Sequence, residues 1–392
     1  MNSPISPLSP VDLQNWSDHT RVPFSVYTDP DIYRLELERI FYGPFWQPVA
    51  LVCEIPEIGD YKTFFIGETP LIVTHTGENE FHTMVNACSH RGVELTNEFL
   101  GKANDFTCPY HGWVFDNKGE CHVTPGEERF RADFKKSDFG LTQLRTTVWS
   151  QVVWATFDPA TPSMEEFLGD AAPALRNALG GGERPLKLLG YQKIVFNCNW
   201  KIYMDNDGYH AGLLHTAFRL LDFQGGQGIQ ISGGTGGHWG IDYGTKPYED
   251  NGYLNDASVV ETRNNELTAT VNLIRPLCQS VKHLNSINFR FARPLGPGKT
   301  EVHYTYLGFV DDDDDIAEHR IRQSANLLGP SGFVSIEDSA VFERVQKAIT
   351  APHNTVNFVK GLAESPDGKR CMQNDEAGST PWWNDYKQRM GL

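Results

Sequence analysis

Between Trp46 and Phe157 apolar and polar residues alternate in short runs, such as Tyr61-Lys62-Thr63-Phe64-Phe65 and Leu71-Ile72-Val73, broken by Gly59-Asp60 and Gly67. A period of two with turn residues at the breaks is the pattern of half-buried strands, so this stretch predicts a small all-β domain. The flanks read differently. Residues 1 to 28 are irregular, and Thr28-Asp29-Pro30 then opens a helical spacing through Ile32, Leu35, Ile40 and Phe41, with a polar cap and an early proline. Downstream, Asp158-Pro159-Ala160-Thr161-Pro162 reads as a boundary, Met164 to Leu179 as a helix, and Gly180-Gly181-Gly182 as its stop. Tyr191 to Trp200, Asn285 to Pro294 and Glu301 to Val310 read as strands, and Ile316 to Leu328 as a helix. The expected class is α+β. An arm and helix over 1–44 would pack on the larger domain, 45–158 would form the all-β domain, and 159–392 would carry an antiparallel sheet flanked by helices. A chain of 392 residues is long enough for two separate cores.

Two biased stretches need a physical reading. Gly225 to Gly237 is glycine-rich, yet it lacks a GK[ST] step and does not join a strand to a helix, so it predicts a mobile loop near an active site rather than a phosphate cradle. Asp311 to Asp315 directly precedes a helical run, where carboxylates complement the helix dipole; calcium binding is the alternative.

Chemistry enters with Cys88-Ser89-His90 and Cys108-Pro109-Tyr110-His111, a hairpin's length apart. Each cluster offers one thiolate and one imidazole, so two loops could present two matched pairs to one metal centre. That is the donor set of a Rieske [2Fe-2S] cluster, in which two His replace two Cys on one iron. Structural zinc is the alternative, but zinc knuckles pair Cys with Cys and His with His.

In the larger domain, Asp207-Gly208-Tyr209-His210-Ala211-Gly212-Leu213-Leu214-His215 supplies two imidazoles. With one carboxylate they would complete the facial triad of a non-haem Fe(II) oxygenase. Five residues turn a regular helix by about 140°, so convergence requires an irregular helix, which Gly212 favours. Asp207, three residues before His210, is on its face and could accept a hydrogen bond from the ring nitrogen turned away from the metal.

Composition then narrows the class. A net charge of −16 and a pI near 5.2 argue against nucleic acid as a partner. Seven scattered cysteines, two of them assigned to the cluster, argue against a disulfide framework and for a reducing cytoplasm. No secretory leader pattern and no window of eighteen apolar residues occurs, so no membrane association is expected.

With His90-Arg91-Gly92, His111-Gly112-Trp113 and Asp207-x-Tyr209-His210-x4-His215 in view, the chain resembles, over nearly its whole length, the catalytic α subunit of Rieske non-haem iron aromatic-ring-hydroxylating oxygenases. The resemblance implies that Cys88, His90, Cys108 and His111 bind the cluster and that His210 and His215 bind a mononuclear iron. It also implies that Asp207 bridges toward a Rieske His. Within Gly329-Pro330-Ser331-Gly332-Phe333-Val334-Ser335-Ile336-Glu337-Asp338 it makes Asp338 the third iron ligand, with Glu337 the competing carboxylate. One departure stands out: Asn199-Trp200-Lys201 lies about two residues nearer the bridging Asp than is usual for the family.

Arg21-Val22-Pro23-Phe24 and Asn285-Ser286-Ile287-Asn288-Phe289-Arg290 look most like oxygenases of aromatic acids, such as the salicylate, terephthalate and anthranilate enzymes. By strand periodicity Ser286, Asn288 and Arg290 share one face, and Arg290 could take a substrate carboxylate with two parallel hydrogen bonds. An Arg at a sheet rim or subunit contact is the competing reading. The resemblance further implies a reductase or ferredoxin donor, dioxygen as co-substrate, and a homotrimer with or without a β subunit. Two rivals remain: a Rieske monooxygenase acting on a methylated or quaternary amine, as Asp205-Asn206 faintly suggests, and an electron carrier without oxygenase chemistry.

Overall fold

The computed structural model describes residues 16–206, 228–245, 247–248, 252, 254–351 and 354–392. The chain divides into two compact units: Phe41–Thr161, and a second formed by the chain on both sides of it.

In the first unit, seven antiparallel strands run in the order Gln47–Leu51, Val152–Thr156, Gln143–Trp149, Glu80–Val85, Thr69–Gly77, Asp60–Ile66 and Leu100–Lys102. A smaller sheet joins Asp105–Thr107, Val114–Asp116 and Cys121–Val123. In Asp60–Ile66 the alternate positions Lys62, Phe64 and Ile66 are buried on one face, and Tyr61 is buried on the other. One apolar cluster gathers Tyr61, Ile72, Met84, Leu95, Phe106, Trp113, Phe115 and Leu141 together with Cys88, Cys108 and Cys121.

The second unit is built on eight antiparallel strands in the order Leu186–Phe196, Thr300–Phe309, Ser286–Pro294, Cys278–His283, Thr268–Ile274, His238–Gly244, Ile229–Gly233 and Arg370–Met372. Asp29 caps the helix Pro30–Glu36 by accepting from the Asp31 amide at 2.7 Å, as Asp-Pro predicts. Asp313 caps Asp314–Gln323 through the Ile316 amide, while Asp312 accepts from Arg320, Asp311 from Arg184 and Asp315 from Arg263, so the acidic run is taken up by a cap and by ion pairs.

Several expectations need revision. The helix read over Met164 to Leu179 breaks into Met164–Leu168 and Ala172–Ala178, because Gly169 takes φ +50° where a Cβ would lie 2.5 Å from the Gly234 amide. Trp200 does not end a strand. Asn199 accepts from the Lys201 amide at 2.9 Å and starts the helix Trp200–Met204. The described part of the glycine-rich stretch is not a loop but the hairpin of Ile229–Gly233 and His238–Gly244. Its glycines permit close packing: a Cβ on Gly234 would meet the Phe167 carbonyl at 2.0 Å, and one on Gly237 the Trp382 amide at 2.5 Å. Among the described residues no helix is long and apolar enough to cross a membrane.

Candidate functional site

The two Cys/His loops are built alike. The Cys88 carbonyl accepts from the Gly92 amide at 2.7 Å and the Cys88 amide donates to the Val93 carbonyl at 2.8 Å; Cys108 does the same with Gly112 at 3.0 Å and Trp113 at 2.7 Å. Gly92 and Gly112 occupy the left-handed region, at φ +74° and +70°. A glycine four residues after each cysteine is therefore the turn that the motif requires, a signal present in the sequence at equal offset in both loops.

These turns bury both thiols and leave His90 exposed and His111 partly so, with the imidazole centroids 4.6 Å apart. Burial pushes the Cys88 thiol up, and hydrogen bonds from the His90 and Arg91 amides oppose it. Desolvation, then the charges of His111 and Arg91, lower the His90 pKa and favour the neutral imidazole that metal ligation needs. His90 stacks on Trp113 at 4.8 Å with an interplanar angle of 6°, and Tyr110 packs on His111 at 3.8 Å.

The residues present fit a [2Fe-2S] group. His111 Nδ1 is buried without a hydrogen-bond partner, and Cys88 and Cys108 are unbridged thiols in one apolar cluster. Among the described residues no three His, Cys, Asp or Glu side chains converge as on a single ion. Two pairs of donors suit a binuclear cluster, where each iron takes two protein ligands.

In the second unit the strand Ser286–Pro294 turns Asn288 and Arg290 to the same face, opposite Tyr306 and Tyr304 of the neighbouring strand. Arg290 is neither at a rim nor exposed. Its Nη1 donates to Gln279 Oε1 at 2.6 Å and its Nη2 to the Leu328 carbonyl at 3.1 Å, while Nε is buried without a partner. The guanidinium carbon lies 4.7 Å from the Tyr304 ring centre. Burial works against the Arg290 charge, but Tyr304, Tyr203 and Asp338 outweigh it and raise its pKa. Beside it Asn288 is fully buried with both amide atoms unpartnered.

Asp338 sits in the first turn of the helix Ser335–Ala348. That helix starts where it does because Gly329 to Val334 folds back on the preceding turn: Phe333 and Val334 donate to the Asn326 and Leu327 carbonyls, and a Cβ on Gly332 would lie 2.6 Å from Leu327. The Leu328 carbonyl accepts from both Ser335 Oγ and Arg290, tying the helix start to the polar sheet face. Asp338 accordingly acts electrostatically on Arg290 and Tyr304. Gln279, Tyr203 and Tyr304 are partners of Arg290 that the sequence does not disclose, since nothing local in it links them.

Asp207, His210 and His215 lie outside the described residues. The helix Trp200–Met204 just before them is anchored in a buried polar network. Glu36 accepts from Trp200 Nε1 at 2.8 Å, Lys201 Nζ at 2.5 Å and Tyr386 OH at 2.5 Å. Tyr27 OH donates to Asp205 at 2.8 Å, and Arg275 donates to the Met204 carbonyl at 2.8 Å. Burial pushes the Asp205 carboxyl up to about 6, against the pull of Arg275, Tyr27 and Lys201.

Residues 45–144 match the Rieske [2Fe-2S] domain, and residues 184–366 match the catalytic domain of the ring-hydroxylating alpha subunit. Over 95% of its length the chain is 30% identical to the anthranilate 1,2-dioxygenase large subunit of Burkholderia cepacia, covering 94% of that protein. It is 32% identical to a terephthalate 1,2-dioxygenase terminal oxygenase α subunit from Comamonas sp. (95% of this chain, 96% of the relative). With the salicylate 5-hydroxylase large oxygenase component of Ralstonia sp. it shares 33% (86% of this chain, 87% of the relative). Its fold matches naphthalene 1,2-dioxygenase from Rhodococcus sp. with a TM-score of 0.82 at 24% identity, over 97% of this chain and 96% of that one.

Proposed function

Because this chain belongs to the family of Rieske ring-hydroxylating oxygenase α subunits, we propose that it hydroxylates a small aromatic acid, using dioxygen and electrons from a reductase or ferredoxin. It is an oxidoreductase, and its family carries a [2Fe-2S] cluster and a mononuclear non-haem iron. Cys88, His90, Cys108 and His111 would hold the first; His210, His215 and Asp338 would hold the second. Bound there, these groups supply the electron carriage and oxygen activation that side chains lack.

The observation that carries the substrate class is Arg290, a buried cation on the polar sheet face with a free Nε, next to the unpartnered amide of Asn288 and within electrostatic reach of Asp338. An aryl carboxylate would satisfy Nε and the Asn288 amide, and in a desolvated site such charge-assisted bonds orient the ring. The anthranilate, terephthalate and salicylate relatives are consistent with this. A quaternary ammonium substrate would meet the Arg290 charge unfavourably. An electron carrier has no use for the domain matched at 184–366. Asp207 would link His210 to a Rieske His, and assembly as a homotrimer, with or without a β subunit, would supply that His from a neighbouring chain.

Product analysis with a panel of aromatic acids and a surrogate reductase tests the reading. Hydroxylated acids with matching oxygen uptake are expected. Turnover of methylated amines, with none of the acids, would overturn it.

A further inference from the structure

The stretch from Gly126 to Gly140 contains only two short 3-10 turns, and its side chains are largely exposed apart from three phenylalanines. Phe130, Phe134 and Phe139 all turn inward onto Trp113, with ring centres 6.2, 6.1 and 5.7 Å away, and Phe134 packs on the other two at 4.6 and 4.9 Å. The His90 ring lies parallel to Trp113 and stacks on it. The same stretch is pinned to the first ligand loop, because Ser89 Oγ donates to the Phe139 carbonyl at 2.6 Å. Trp113 itself is 5% exposed although the histidine that it supports is exposed. A loop that contributes three aromatic rings, all of them to one indole, is a clamp on that indole.

From this geometry we infer that Trp113, held by Phe130, Phe134 and Phe139, is a positioning residue for His90 that lowers the reduction potential of the cluster. The inference rests on His90 being a cluster ligand. Stacking fixes the plane of the imidazole, which would otherwise rotate at an exposed loop tip. It also has an electrostatic sign. One-electron reduction adds a negative charge to a centre that already carries two thiolates. The apolar wall withholds water from that charge, and the indole presents the negative face of its quadrupole to the ligand ring, so both effects disfavour the reduced form.

Potentiometric titration of the holoenzyme, read by EPR of the reduced signal, tests this. Trp113→Leu keeps the site apolar but removes the ring; about tenfold higher electron affinity is expected, a rise of about 59 mV for a one-electron couple. Trp113→Phe keeps a flat ring and should stay within about threefold of the parent, a margin well under the tenfold step. An unchanged potential in Trp113→Leu, or equal shifts in both variants, would overturn the positioning role. If Trp113→Leu takes up no cluster, Phe134→Leu decides instead: it leaves the indole in place but opens its support, so a smaller shift of the same sign supports the role and an unchanged potential refutes it. Pulsed EPR of the parent keeps the two readings apart. Two nitrogen couplings establish two imidazole ligands whatever the potentials show, and their absence would remove the ligand assignment itself.

Discussion

The two candidate sites differ in how far the chain must travel to build them. The Cys/His loops are closed by hydrogen bonds four and five residues long and are supported by residues within the same unit, from Trp113 to Phe139. The polar face around Arg290 brings together Tyr203, Gln279, Tyr304, Leu328 and Asp338 from separate elements. Polar atoms of Asn288 and Arg290 are buried there without partners, as His111 Nδ1 is at the Cys/His loops. A local site tolerates exposure because its turns hold it. A composite site depends on burial, and its unmet polar groups are ones that a ligand can satisfy.

The largest effect expected from this contrast is at Cys108. Cys108→Ser should abolish the mixed-ligand EPR signal of the reduced protein, since a neutral hydroxyl does not replace a thiolate on iron. A retained signal would mean that the loop pair is not the cluster site.

Asp338→Ala should come next: loss of mononuclear iron and of ring oxidation with the Rieske spectrum intact, because the two sites belong to separate units. Metal analysis beside EPR reads both. Activity surviving Asp338→Ala but not Glu337→Ala would transfer the ligand role to Glu337.

Arg290→Ala should cost about 2 to 5 kcal/mol in binding of a carboxylate substrate, the usual loss when one partner of a buried charged pair is removed. Steady-state kinetics should show a steep rise in KM for aryl acids. An unchanged KM would show that the free Nε serves no substrate.

The last effect is one of stability alone and concerns Asp205, which ends the helix Trp200–Met204 and accepts from Tyr27. Its folded carboxyl is raised to about 6 from the ordinary 3.8, so its contribution to stability is full below that ordinary value and is lost as pH rises through about 6, a swing of about 3 kcal/mol. Asp205→Asn lacks this slope. Denaturation from pH 4 to 8 should therefore show the variant gaining on the parent as pH rises, and parallel curves would contradict the buried, raised carboxyl.

Much of the local architecture is legible in the sequence. The Asp29-Pro30 cap, the Asp313 cap within the acidic run, and the strands at Asp60–Ile66, Ser286–Pro294 and Thr300–Phe309 follow from residue type and period, which act within a few positions. The failures share a cause. Gly225 to Gly237 read as a loop because glycine in isolation signals freedom, but in its described part glycine is there because Phe167, Pro381 and Trp382 come too close for a Cβ. The break at Gly169 has the same origin in the approach of Gly234.

By itself, then, the sequence determined the α+β class, the thiolate and imidazole pairs with their glycine turns, and the polar face of the strand carrying Asn288 and Arg290, all set by short-range periodicity and spacing. Only the tertiary structure decided that Trp113 backs His90 and that Gln279 and the Leu328 carbonyl hold Arg290. It likewise decided that Asp338 acts electrostatically on Arg290 and that Glu36 and Tyr27 anchor the helix before the histidine motif. Those contacts join residues 11 to 178 positions apart, and their energies come from burial and desolvation, which exist only once the chain has closed on itself.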